Sequence, residues 1–278
     1  MDIREMTDRV YHDLEQNRFR RLGEPDAVLF ERPEIGVAAG DDPYFTFLKE
    51  HIGPFHWTPA EAFALKYGEA EPASLRVISM VFPQTARTKK EQRQAKVFPC
   101  DHWVVSRGER EPLMKEFSSK FVEEMEAAGI PIVSIDLQPQ WKMERSEHLG
   151  LASRWSHRHY AYAAGLGTFG LSDGFISEHG KAVRLTSYVV KADLPVTDRG
   201  DRGPYDWCLY YAKGTCGACI KRCPVGAISK DGHDKERCAS YEEEAIAKYW
   251  PAHIERGDYI FGCGICQTAV PCQDKRPG

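Results

Sequence analysis

Apolar residues near the start of the chain recur at helical spacing. Ile3, Met6, Val10 and Leu14 stand three or four apart in an otherwise charged stretch, which predicts an amphipathic helix over residues 2–22. Thr58-Pro59-Ala60-Glu61 joins a hydroxyl cap, a proline at the first helical position and a glutamate three residues beyond the cap. It predicts a helix running to about Tyr67. The period then changes. Residues 75–82, L-R-V-I-S-M-V-F, are β-branched and apolar and are closed by Pro83, so they read as a strand. Residues 86–96 carry few apolar anchors and read as a surface segment. Residues 112–128 predict a helix ended by Gly129, 131–137 a buried strand, 154–164 a helix ended by Gly165, and 182–190 a further strand. This succession gives an α/β (α+β) fold, a sheet sandwiched by helices.

A chain of 278 residues has room for one large domain or two ordinary ones. The Pro-, Gly- and Asp-rich run D-L-P-V-T-D-R-G-D-R-G-P at 193–204 reads as a linker. It divides the chain into a larger domain over 1–200 and a smaller domain over 201–278. The formal net charge of −4 and pI of about 6.2 give no global basic field, and so no direct sign of a nucleic-acid partner. No apolar run approaches the ~20 residues of a membrane span. The opening M-D-I-R-E-M-T-D lacks the apolar core of a signal peptide, and Arg20-Arg21 is not followed by an apolar stretch. The expected location is cytoplasmic, away from membranes.

The smaller domain carries the chemistry. Of nine cysteines, Cys208, Cys216, Cys219, Cys223, Cys238, Cys263, Cys266 and Cys272 all fall in it. Eight thiolates in two sets of four suit two [4Fe–4S] clusters. In two-cluster ferredoxins the cysteine before proline ligates the other cluster, and Cys223-Pro224 has that form. The expected ligands are therefore Cys208, Cys216, Cys219 and Cys272 for one cluster, and Cys223, Cys238, Cys263 and Cys266 for the other. The spacing departs from the usual C-x2-C-x2-C-x3-C-P: position 213 is Lys213, so Cys208 must serve, and the last motif ends in Cys272-Gln273. The alternatives are disulfides, disfavoured in a reducing compartment, and a four-cysteine zinc site, which leaves four cysteines without a role. Cys100, in V-F-P-C-D-H-W, reads as an idle or buried thiol.

A second informative segment is H-R-H-Y-A-Y-A-A-G-L-G-T-F-G-L-S-D-G at 157–174. Its glycines permit close backbone approach to a large planar or anionic ligand. They also suit a helix C-cap followed by turns. Because the glycines follow a helix rather than a strand, a Rossmann nucleotide fingerprint is excluded.

The run A-G-L-G-T-F-G-L-S-D-G-F-I, then G-K-A-V-R-L-T-S-Y-V-V, then the cysteine sets closing in F-G-C-G-I-C-Q, resembles the cobalamin-dependent iron–sulfur reductases. These comprise the epoxyqueuosine reductases and the catalytic part of reductive dehalogenases. The resemblance covers residues ~150–272. It implies a nitroreductase-like α/β sandwich holding a corrinoid, followed by a bacterial-ferredoxin-like double-cluster domain that feeds it electrons. On that reading Arg154, Arg158, Gly165, Leu166, Gly167, Thr168 and Gly170 contact the cofactor. The chain also departs from the family. Epoxyqueuosine reductases carry an aspartate, the proposed proton donor, about a dozen residues before A-G-L-G; here Leu151-Ala152-Ser153 stand there. The C-terminal repeat extension of many of those enzymes and the export signal of respiratory dehalogenases are not seen. Tyr160, His157 and His159 are the replacement proton-donor candidates, His titrating near neutrality and Tyr being a weak acid. The expected activity is a cobalamin-dependent iron–sulfur reductase acting on a small-molecule substrate and fed by an external donor such as flavodoxin or ferredoxin. The alternative is an electron-transfer or corrinoid-activating protein without substrate chemistry of its own.

Overall fold

The structure, a computed structural model, describes residues 2–249 and 262–278. Its centre is a four-stranded antiparallel sheet of β1 (Glu34–Ala39), β2 (Arg76–Pro83), β3 (Ile132–Ser134) and β8 (Val183–Val190), in the order β1-β2-β8-β3. Both sheet faces are covered, so β2 carries apolar residues on both faces, interrupted by Arg76 and the buried Ser79. Ile78, Met80 and Phe82 face one core with α1 (Ile3–His12) and α6 (Arg110–Ala127). Val77 and Val81 face the other with α2 (Pro43–His51), α3 (Pro59–Tyr67) and α7 (His157–Ala163). A strand buried on both faces reads as a continuous hydrophobic run, which is what 75–82 shows.

Several elements follow from local chemistry. The capping box at Thr58 and Glu61 forms, with Glu61 N–H donating to Thr58 Oγ1 at 3.3 Å and Thr58 N–H donating to Glu61 Oε2 at 2.8 Å. Helix α1 ends at His12, well short of residue 22. Beyond it the Asn17 side chain ties down the chain instead, accepting from Phe30 N–H and donating to Phe30 C=O, both at 3.0 Å. Helix α7 begins at His157, so Arg154 and Trp155 precede it and Arg154 does not share a helical face with Arg158. A hairpin of β4 (Met143–Ser146) and β5 (Gly150–Ser153) leads into it.

The segment 86–96 is not a loose surface stretch. Helix α4 (Ala86–Gln94) occupies it, capped by Thr85, and Thr88 and Gln92 are fully buried. Few apolar residues are needed because its inner face makes polar contacts. Gln92 Nε2 donates to Cys263 C=O at 2.8 Å, and Arg222 Nη1 donates to Ala95 C=O at 2.8 Å. Helix α5 (Asp101–Gly108) follows, and Trp103 Nε1 donates to Gly262 C=O at 2.9 Å. Together α4 and α5 form the floor on which the cysteine-rich segment sits. That segment contains the short helices α8 (Leu209–Lys213) and α9 (Ala218–Arg222) and the longer α10 (Lys235–Tyr249). It has a small core of its own around Trp207, Ile228 and Val270. Among the described residues, no helix is long and apolar enough to cross a membrane.

Candidate functional site

Strand β3 pairs only with Tyr188–Val190 of the eight-residue β8. Past Ser134 the chain leaves the sheet in a turn over Ile135–Leu137, and the edge of β8 from residue 183 to 187 is left uncovered by it. A cavity of about 320 Å³ opens there. Val183, Arg184 and Leu185 form one wall, Trp141, Trp155 and Phe175 supply apolar surface, and Arg107, Arg110, Arg158 and Lys181 make it basic.

His157, at the start of α7, lines this cavity. Its Nδ1 lies 2.7 Å from Ser187 Oγ and its Nε2 lies 3.3 Å from Asp136 Oδ1. Ser187 Oγ also accepts from Trp155 Nε1 at 2.8 Å, and Thr186 Oγ1 donates to Asp136 Oδ2 at 2.5 Å. Burial alone would raise the Asp136 carboxyl, but the neighbouring His157 charge and the hydrogen bonds from His157 and Thr186 hold it down at about 2. Asp136 has no sequence motif around it. Only the turn after β3 brings it to His157.

The other candidates separate. Tyr160 is fully buried, stacked on Trp155 at 3.5 Å between ring centroids, and its hydroxyl donates to the Trp57 carbonyl. It belongs to the core behind the cavity wall. His159 lines a different cavity of about 230 Å³ with Tyr44, Phe47, Phe169 and Tyr205, and its Nδ1 lies 2.8 Å from Ser156 Oγ. Burial, with His56 and Arg158 nearby, holds its imidazole well below the usual histidine range. Arg154 is engaged outside both cavities, its Nε donating to Glu144 Oε1 at 2.9 Å. Arg158 borders both.

The glycine-rich run takes up structural duties. Gly165, at φ +74°, caps α7: Leu166 N–H donates to Ala161 C=O and Gly165 N–H to Tyr162 C=O, both at 3.0 Å. This is the Schellman arrangement, which needs a left-handed residue. Gly167 and Thr168 enter strand β6 (Gly167–Phe169), paired with β7 (Phe175–Ser177). A Cβ on Gly167 would lie 2.1 Å from Ile176 O. Thr168 Oγ1 accepts from Trp207 N–H at 3.1 Å and ties the hairpin to the cysteine-rich segment. Gly170 borders the first thiol pocket.

Cys208, Cys216, Cys219 and Cys272 line that pocket together with Lys181. Cys223, Cys238, Cys263 and Cys266 form a second group. Burial first of all pushes up the pKa of three of them, taking Cys238 to about 12 and Cys266 to about 11 and raising Cys263 as well, and neighbouring thiols push in the same direction. Cys263 N–H donates to Glu242 Oε1 at 2.9 Å. Cys100 stands apart, its thiol pushed by burial to about 11 and its N–H donating to Gln92 Oε1 at 2.9 Å. Lys181 is 3% exposed and lines both the first thiol pocket and the basic cavity. Thiolates nearby hold its ammonium up against the opposing effect of burial.

Residues 214–273, which hold every cysteine of the two groups except Cys208, match the model of the 4Fe-4S double cluster binding domain. The chain carries a double-cluster domain. Its curated homologues are epoxyqueuosine reductases. That of Leadbetterella byssophila is 32% identical over 114 residues, covering 40% of this chain and 35% of that one. That of Vibrio cholerae serotype O1 is 33% identical over 118 residues, covering 41% and 30%. The match thus spans about a third of the length of those relatives. Among solved structures, an epoxyqueuosine reductase holding an epoxyqueuosine-modified tRNA-Tyr stem loop is 15% identical, covers 99% of this chain and 66% of that one, and gives a TM-score of 0.49. The expectation of a small-molecule substrate, with no sign of nucleic acid, is corrected by these relatives, one of which was solved with an RNA stem loop.

Proposed function

We propose that the chain is an iron–sulfur reductase in which the double-cluster domain, residues 201–278, delivers electrons into the basic cavity of residues 1–200. The observation that carries this reading is the placement of Lys181, shared by the first thiol pocket and the cavity. The proposed ligands are Cys208, Cys216, Cys219 and Cys272 for one [4Fe–4S] cluster and Cys223, Cys238, Cys263 and Cys266 for the other. Eight cysteines are the number two such clusters need, and Cys208, Cys216, Cys219 and Cys272 line one pocket, although among the described residues no three of the thiols stand close enough to grip a metal as they are. Clusters supply one-electron transfers when bound.

The group proposed to receive the electrons is a cobalamin, which supplies a low-potential cobalt centre when bound. Apolar Trp141, Trp155 and Phe175 with basic Arg107, Arg110 and Arg158 suit a large ligand of mixed apolar and anionic character. His157, held between Ser187 and ionised Asp136, is the proposed holder of a proton at the cavity wall, and Asp136 the residue that positions it. By analogy with the epoxyqueuosine reductases, the substrate is proposed to be a modified nucleoside carried on an RNA.

Anaerobic purification with iron analysis and a cobalamin titration tests the reading. About eight irons per chain and saturable binding of cobalamin are expected. A chain that takes up iron yet ignores micromolar cobalamin would sink the corrinoid part. Zinc at the thiols would sink the whole.

A further inference from the structure

Arg184 stands out in the cavity wall. Its side chain is 6% exposed, Nη1 donates to the Val183 carbonyl at 2.6 Å, and the guanidinium lies 5.5 Å from the Trp103 ring centroid. Nε and Nη2 find no hydrogen-bond partner among the described residues. Two buried guanidinium donors left unmatched carry a free-energy cost that a ligand acceptor would remove. The surroundings add to it. Arg107, Arg110, Arg158 and Lys181 line the same cavity. Burial first, and Arg107 and Arg110 next, lower the affinity of the Arg184 guanidinium for its proton, with Glu242 acting the other way. Asp136 is committed to His157 and Thr186. Arg110, Arg158 and Lys181 are further cations on the wall of the same cavity, so a multiply charged anion there would meet several of them at once.

We propose that Arg184 and Arg110 form a phosphoryl-binding subsite inside the cavity. Phosphoryl oxygens match the forked geometry of guanidinium donors better than a point cation does, which favours them at an arginine-built site. A phosphate ester could reach it on the nucleotide tail of a corrinoid or on an RNA backbone. The subsite rests on the cavity and on Arg184 rather than on the assignment of the cofactor.

Inorganic phosphate and pyrophosphate titrated into the anaerobic iron-loaded protein, followed by calorimetry and by tryptophan fluorescence, test it. Saturable binding is expected, weakened about tenfold or more by Arg184→Met, as for loss of charge-assisted bonds. Arg110→Gln, at the accessible start of α6, should weaken it too and guards against a misfolded Arg184 variant. Arg9→Gln, altering a surface pair with Glu124, should not. Two arms separate the sources. If Arg184→Met weakens cobalamin but not cobinamide, which lacks the phosphodiester, the cofactor tail occupies the subsite. If it weakens an RNA stem loop and leaves cobalamin unchanged, the backbone does. Phosphate binding by a protein that ignores cobalamin leaves the subsite standing and removes the corrinoid. No saturable phosphate or pyrophosphate binding, or binding equal in wild type and both arginine variants, overturns the proposal.

Discussion

At the scale of single residues, what the sequence made legible was what depends on residue type alone. A thiol that ligates iron must be cysteine wherever the backbone puts it, so the eight candidates could be picked out by count and spacing. Cys219→Ala should lower iron from about eight to about four per chain, and Cys100→Ser should leave it unchanged. Iron analysis after anaerobic reconstitution checks both, and loss of half the iron in Cys100→Ser would mean the wrong eight were chosen. Roles that depend on geometry were not legible. Tyr160 looked like an acid and is a core ring; Asp136 looked like nothing and stands 3.3 Å from His157 Nε2. Because the folded Asp136 sits near 2, below its ordinary carboxyl value, its stabilising contribution is complete above about pH 4 and is lost as pH falls through 2. Asp136→Asn should therefore lower stability at pH 7 by about 2 kcal/mol, with the gap closing below pH 4. Urea unfolding of both proteins across that range measures it. A gap that persists unchanged at pH 2 would refute the account of a carboxylate held ionised by its neighbours.

At the scale of elements, hydrophobic period located the strands and the capped helix α3, since both are set by local pattern and burial. It failed for α4, because that helix packs through Gln92 and Thr88 rather than through an apolar stripe, and period analysis registers only the latter. The Gln92 side chain accepts from Cys100 N–H and donates to Cys263 C=O. Gln92→Ala leaves both groups short of a partner and should cost about 1–3 kcal/mol, felt as faster amide exchange at residues 263–268. Unaltered exchange there would show that α4 does not hold the segment. Gly264 makes a sharper case. It sits at φ +60°, and a Cβ there would lie 2.0 Å from Trp103 Cζ2. Gly264→Ala should dislodge Cys263 and Cys266 and reduce iron content while leaving far-UV circular dichroism of the front sheet near its original value.

At the scale of the molecule, the α/β (α+β) sandwich was legible from the order of strands and helices, but not the antiparallel order β1-β2-β8-β3 nor the short β3 that opens the cavity. Those depend on contacts between distant segments. Stripping iron with a chelator should loosen the cysteine-rich segment while the sheet persists, because ligation contributes folding free energy only where the thiols are. Proteolysis confined to residues 205–249 would fit; cleavage throughout the chain would not.

The hydrogen bond from Gln92 to Cys263 joins residues 171 apart in the chain. Loop closure over that length is slow and comes late. During synthesis the front sheet can collapse on the ribosome long before Cys263 has emerged, leaving the floor made by α4 and α5 bare in the meantime. Nascent chains stalled before residue 263 should therefore be captured by chaperones at that uncovered face rather than at the sheet.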